Sequence, residues 1–161
     1  LEIPPLPSLA EAVAAAANYT DAHHFAFPTC FVCGNERHDD YGMRLFPGQV
    51  VGRNLVAGPW EPQAAFAGPD GRVQPEFIWS ALDCPGGWAV FHHIGPKPTV
   101  LGKLAARLIQ PVRVEQTYLA IGWRIQSEGR KHEVGSAVFV KTGELCALGY
   151  ATWITLRAAD K

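Results

Sequence analysis

The stretch QPEFIWSALDCPGG, residues 74–87, decides how this chain is read. Pro75 marks a helix start, because its fixed φ and missing N–H suit the first helical position. Behind it, Glu76, Ser80, Asp83 and Gly87 recur at i, i+4, i+7 and i+11. Phe77, Ala81, Cys84 and Trp88 form a second, apolar stripe beside that polar or small one. Pro85, Gly86 and Gly87 interrupt the pattern, and they predict a kink in a continuing helix rather than its end. Two acids in such a segment need a reason, since a buried carboxylate must find partners or shift its pKa.

Working outward, SLAEAVAAAAN places Ser8 and Glu11 in capping-box spacing and predicts a short helix over about residues 8–17. The segments MRLFPGQVVG and NLVAGPWEP predict a hairpin joined at Gly52-Arg53. After the helix come four β-rich segments: TVLGKLAARLIQPV, TYLAIGWRIQSEG, HEVGSAVFVKTGE and LCALGYATWITLR. Leu119, Ile121, Trp123 and Ile125 alternate with smaller or polar residues, the period of a strand with one buried face. The order strand, strand, helix and four strands predicts an α+β fold, an antiparallel sheet with one substantial helix.

With 161 residues, 48% hydrophobic and 18% charged, the chain has material for a single core. Its net charge of -1 and scattered basic residues argue against a nucleic-acid partner. No apolar run is long enough to span a bilayer and no basic leader precedes one, so the expected setting is cytoplasmic, with no membrane partner.

The segments CFVCGNERHDDYGMRLFPG, QPEFIWSALDCPGGWAVF and the strand block that follows resemble the hotdog-fold acyl-CoA thioesterase superfamily, in its phenylacetyl-CoA-type branch. The resemblance runs over about residues 28–157. It implies a hotdog domain over 28–161, a curved sheet wrapped around the long helix, with 1–27 as an N-terminal extension carrying the short helix. It also implies a homodimer or dimer of dimers that hydrolyses an acyl-CoA or related thioester at the dimer interface, with no cofactor. The family's helix opens with His-Gly-Gly and carries an acid nine positions after the His. Asp83 matches that acid, whereas Gln74-Pro75-Glu76 replaces the triplet.

The implied catalytic residues are Asp83, as general base or as nucleophile, and Glu76. Gln74, Phe77, Ser80 and Gly87 are the implied substrate contacts, and Lys97, Lys103 and Arg107 offer cations for the phosphates of coenzyme A. Pro75 has no N–H to polarise the thioester carbonyl, leaving the N–H of Glu76 or Phe77 as substitute. The departure supports an alternative: a non-catalytic hotdog module that binds an acyl or aromatic ligand, or an assembly partner. Motifs of hotdog hydratases, serine hydrolases, P-loops and Rossmann sites are missing from the sequence.

Cys30 and Cys33 stand in C-x-x-C spacing, with His24 before and His38 after them. Four such groups suit tetrahedral zinc, but one C-x-x-C lacks the second pair of a zinc ribbon, and a tight turn with two buried free thiols is the preferred reading. No metal is therefore expected. Cys84 and Cys146 read as small core residues.

Overall fold

Pro75–Ile94 form one 20-residue helix, α2, which runs through Pro85 without a break. The computed structural model describes residues 1–19, 27–37, 41–95 and 97–157. Around α2 stand α1 (Leu9–Ala17), β1 (Gly48–Gln49), β2 (Val56–Trp60), β3 (Thr99–Leu108), β4 (Tyr118–Glu128), β5 (Lys131–Val140) and β6 (Leu145–Thr155). The strands make one antiparallel sheet in the order β1-β2-β4-β5-β6-β3. This is the hotdog fold, with the predicted α+β class and element order. Among the described residues, no helix is long and apolar enough to cross a membrane.

The Pro-Gly-Gly segment of α2 lies where helix and sheet come closest. A Cβ on Gly122 of β4 would stand 2.1 Å from the Pro85 carbonyl oxygen. On the helix side, a Cβ at Gly86 would meet Val134 Cγ2 at 2.9 Å, and one at Gly87 would meet the Trp153 ring at 2.6 Å. The segment thus brings the helix backbone against the sheet, and three glycines are the clearance for it. Ile78, Leu82, Trp88 and Val90 of α2 pack there against Tyr118, Ala120, Val134, Val138 and Trp153.

The other face of the sheet is covered as well. Ala12 and Ala15 of α1 join Ala57, Leu119, Ile121, Trp123, Ala137 and Phe139 in a second core. The expectation of a single buried face on β4 is therefore corrected: Tyr118 through Trp123 are all buried. The bulky residues Leu119, Ile121 and Trp123 serve the α1 side, and the small Ala120 and Gly122 admit α2. The capping box forms as predicted, with Glu11 N–H donating to Ser8 Oγ at 3.2 Å and Ser8 N–H to Glu11 Oε2 at 2.7 Å. α1 begins at Leu9.

His132 on β5 is only 4% exposed. Its ring nitrogens stand 2.9 Å from Ser127 Oγ and 2.8 Å from Thr155 Oγ1. Burial pushes its pKa below the usual histidine value, helped by the like charges of His93, Arg124 and Lys97. The native state therefore resists a proton that the unfolded chain takes up near pH 6.5. This contribution to stability is fully present above that pH and is lost as the pH falls toward the folded-state value. Urea titrations at pH 7.5 and 5.5 test it: His132→Gln narrows the loss on acidification relative to the parent. An equal loss in both proteins sinks the assignment.

Gly122→Ala drives a methyl into the Pro85 carbonyl, and overpacking of this kind destabilises by about 3 kcal/mol. Denaturant unfolding measures the shift, and an unchanged midpoint contradicts the close approach.

Candidate active site

The first half of α2 has one open side. Glu76, Trp79, Ser80 and Asp83 fall on it at i, i+3, i+4 and i+7; Glu76 is exposed, Trp79 is 38% exposed, and Ser80 and Asp83 are half-buried. The Ser80 hydroxyl donates to the Glu76 carbonyl at 2.8 Å, which ties its proton to the helix backbone. Asp83 Oδ1 is buried and has no hydrogen-bond partner among the described residues. Burial, and then the nearby Cys30 charge, pushes the Asp83 carboxyl up to about 6. A carboxylate held without a partner is stability forgone, and such groups concentrate where chemistry uses them.

At the helix start, Gln74 is extended and its side chain makes no capping bond, reaching instead toward the Ala67 carbonyl at 3.5 Å. Pro75 is the first helical residue and supplies no N–H. Of the two substitutes, the Phe77 N–H is taken by the Gln74 carbonyl at 3.1 Å. Glu76 N–H is the donor left at this end of the dipole, and its own side chain is exposed to solvent. Beside Pro75 runs an apolar groove of about 260 Å³ between Ile78 and the Leu108–Val112 segment.

The remaining expected residues disperse. Phe77 stacks on Phe66 with centroids 4.4 Å apart, and Gly87 faces Trp153, so both pack away from the open stripe. His92 and His93 border an open pocket with Gln49, Arg53 and Asn54. Lys97, Lys103 and Arg107 are exposed, the last two on β3. His24 and His38 lie outside the described residues.

Cys30 and Cys33 are joined by a third thiol that sequence reading assigned to the core. Cys84 Sγ lies 3.7 Å from Cys30 Sγ and 3.3 Å from Cys33 Sγ. Hydrogen bonds from Cys33 and Cys84 hold the Cys30 thiol well below its ordinary pKa; the bond to Cys30 pushes Cys33 up to about 11, and the bonds to Cys30 and Cys33 push Cys84 well above the usual thiol value. The sequence signal was present only as a cysteine next to Asp83. Its 51-residue separation from Cys33 gave no spacing to recognise.

Because Asp83 Oδ1 is buried without a partner among the described residues, Asp83→Asn keeps the side chain's shape and removes the desolvated charge. The variant gains about 1–3 kcal/mol of stability at pH 7. Thermal unfolding reads the gain, and a lower melting temperature refutes the unpartnered state.

No family model matches the chain, and no curated protein is significantly similar to it in sequence. Solved structures do share its fold. A thioesterase superfamily protein superposes with a TM-score of 0.56 at 21% identity over 63% of this chain, which spans 49% of that protein's length. A phenylacetic acid degradation-related protein from Ralstonia eutropha gives 0.59 at 16% identity, over 63% of this chain and 76% of that one. An acyl-CoA hydrolase from Staphylococcus aureus, solved with butyryl coenzyme A, gives 0.60 at 13% identity, over 67% and 66%. At these identities the likeness establishes the hotdog fold.

Proposed function

We propose that the chain hydrolyses an acyl-CoA or related thioester, with Asp83 as the catalytic carboxylate. The observation that carries this reading is the half-buried Asp83 on the open side of the central helix, its Oδ1 buried without a partner among the described residues. The hotdog fold shared with the acyl-CoA hydrolase supports the substrate class.

The mechanism follows from where the groups stand. Glu76 N–H and the helix dipole polarise the thioester carbonyl at the helix start. Asp83 takes a proton from water as the water oxygen adds to the carbonyl carbon, and collapse of the tetrahedral oxyanion expels the thiolate. Attack by the carboxylate itself, giving a mixed anhydride that water resolves, uses the same groups.

The two groups are seven residues apart on one helix, or about 10 Å along its axis. A single chain cannot bring both to one carbonyl, so a second copy supplies the other half: the helix start of one protomer faces Asp83 of its partner. The ten-residue β3 supports pairing, because it forms a long edge of the sheet with Leu101 and Leu108 exposed. Pro75 favours a second reading, a hotdog module that binds an acyl or aromatic ligand without turning it over, since one oxyanion donor is typically worth about a hundred- to a thousandfold in rate.

Release of free thiol from short, long and aromatic acyl-CoAs separates the two. Asp83→Asn lowers turnover by at least about a hundredfold; unchanged turnover rules out Asp83, and none in the parent leaves the binding module. Mixing Asp83→Asn with Glu76→Pro, then unfolding and refolding them together, tests the shared site. Mixed dimers hold one intact site of two, restoring about a quarter of parental activity. No recovery counts against a site built from two copies.

A further inference from the structure

We propose that Cys30, Cys33 and Cys84 together bind a zinc ion, supplying three of its ligands from the described residues. The three sulfurs all lie within 4.8 Å of one another. Tetrahedral zinc with bonds of about 2.3 Å places its sulfur ligands about 3.8 Å apart. The Cys30–Cys84 separation of 3.7 Å already has that value, and the Cys33–Cys84 separation of 3.3 Å needs only to open by a few tenths.

The surroundings are those of a thiolate site. The backbone N–H groups of Val32 and Cys33 turn onto the Cys30 sulfur. Trp88 Nε1–H donates to Cys33 Sγ at 3.4 Å. Such donors orient metal-bound thiolates and spread their charge. The tight turn that aims them depends on Gly34, whose N–H bonds the Cys30 carbonyl at 2.8 Å and whose Cβ would lie 2.4 Å from Cys30 N. Tyr19 holds the far side, donating its hydroxyl to the Cys33 carbonyl at 2.6 Å. Cys33 and Cys84 are buried while Cys30 is half-exposed, which gives an ion a way in. A disulfide between any two of them would leave the third thiol over, whereas one ion uses all three.

On binding, any proton a sulfur still carries goes to solvent as its bond to zinc forms, so no redox partner is needed. The ion would fasten the 27–37 segment to α2 at the residue next to Asp83. This inference does not depend on thioester hydrolysis, and its test reads the metal.

Reduced full-length protein, stripped with chelator, is titrated anaerobically with cobalt(II). The expected result is one cobalt per chain, with thiolate-to-metal charge transfer and the visible bands of a tetrahedral ion, both displaced by one equivalent of zinc. Cys84→Ser and Cys30→Ser weaken binding at least tenfold, and Cys146→Ser, on β6, leaves it unchanged. Near-ultraviolet circular dichroism checks that the variants fold. If Cys84→Ser does not fold, the half-exposed Cys30→Ser decides alone. Absence of charge transfer at saturating cobalt, or parental affinity in the folded variants, overturns the proposal.

Discussion

The contact between the Pro85 carbonyl and Gly122 sets the distance from α2 to the sheet, and the rest of the molecule is arranged around it. With a Cβ position only 2.1 Å from that oxygen, no residue but glycine fits at 122. Gly86 and Gly87 extend the same clearance toward β5 and β6, where Val134 and Trp153 fill the space that side chains would have taken. A helix pressed this closely onto a sheet has no freedom to roll. Each residue of its preceding turns therefore has a fixed direction, and this orients Asp83 and Cys84.

Asp83 and Cys84 sit immediately before that contact. The first points to the open side of the helix and the second into the loop packed against it. Neighbours in sequence thus face two adjoining environments, one an acid whose buried Oδ1 has no partner among the described residues and the other a cluster of thiols whose Cys30 charge reaches that acid. The folding free energy lost at Asp83 is offset by the two apolar layers on either side of the sheet.

Much of this frame was legible in the residues. The capping box at Ser8 and Glu11 is a local bond pattern, so four residues suffice to specify it. The continuation of α2 past Pro85 was readable because Trp88 keeps the apolar stripe going on the far side of the proline. β4 was read as buried on one side only. Period-two reasoning assigns the core to the bulkier residues, and here a helix close to the small face and α1 over the large one bury both. Of the residues expected at the site, Asp83 is half-buried with its Oδ1 unpartnered among the described residues, as a costly acid on this helix was read to be. Phe77 and Gly87 turned toward packing, as the helix lies closer to the sheet than an amphipathic wheel conveys.

The sequence by itself determined the elements, their order and the acid on the central helix, because each depends on residues within a turn or two of one another. Tertiary structure alone decided what those elements face. Cys84 meets Cys30 and Cys33 from 54 and 51 residues away, and Glu76 N–H becomes the available donor only once the Gln74 carbonyl has taken Phe77's. Proximity across the fold leaves no periodicity in the chain, so it is visible only once the helix has been pressed onto the sheet.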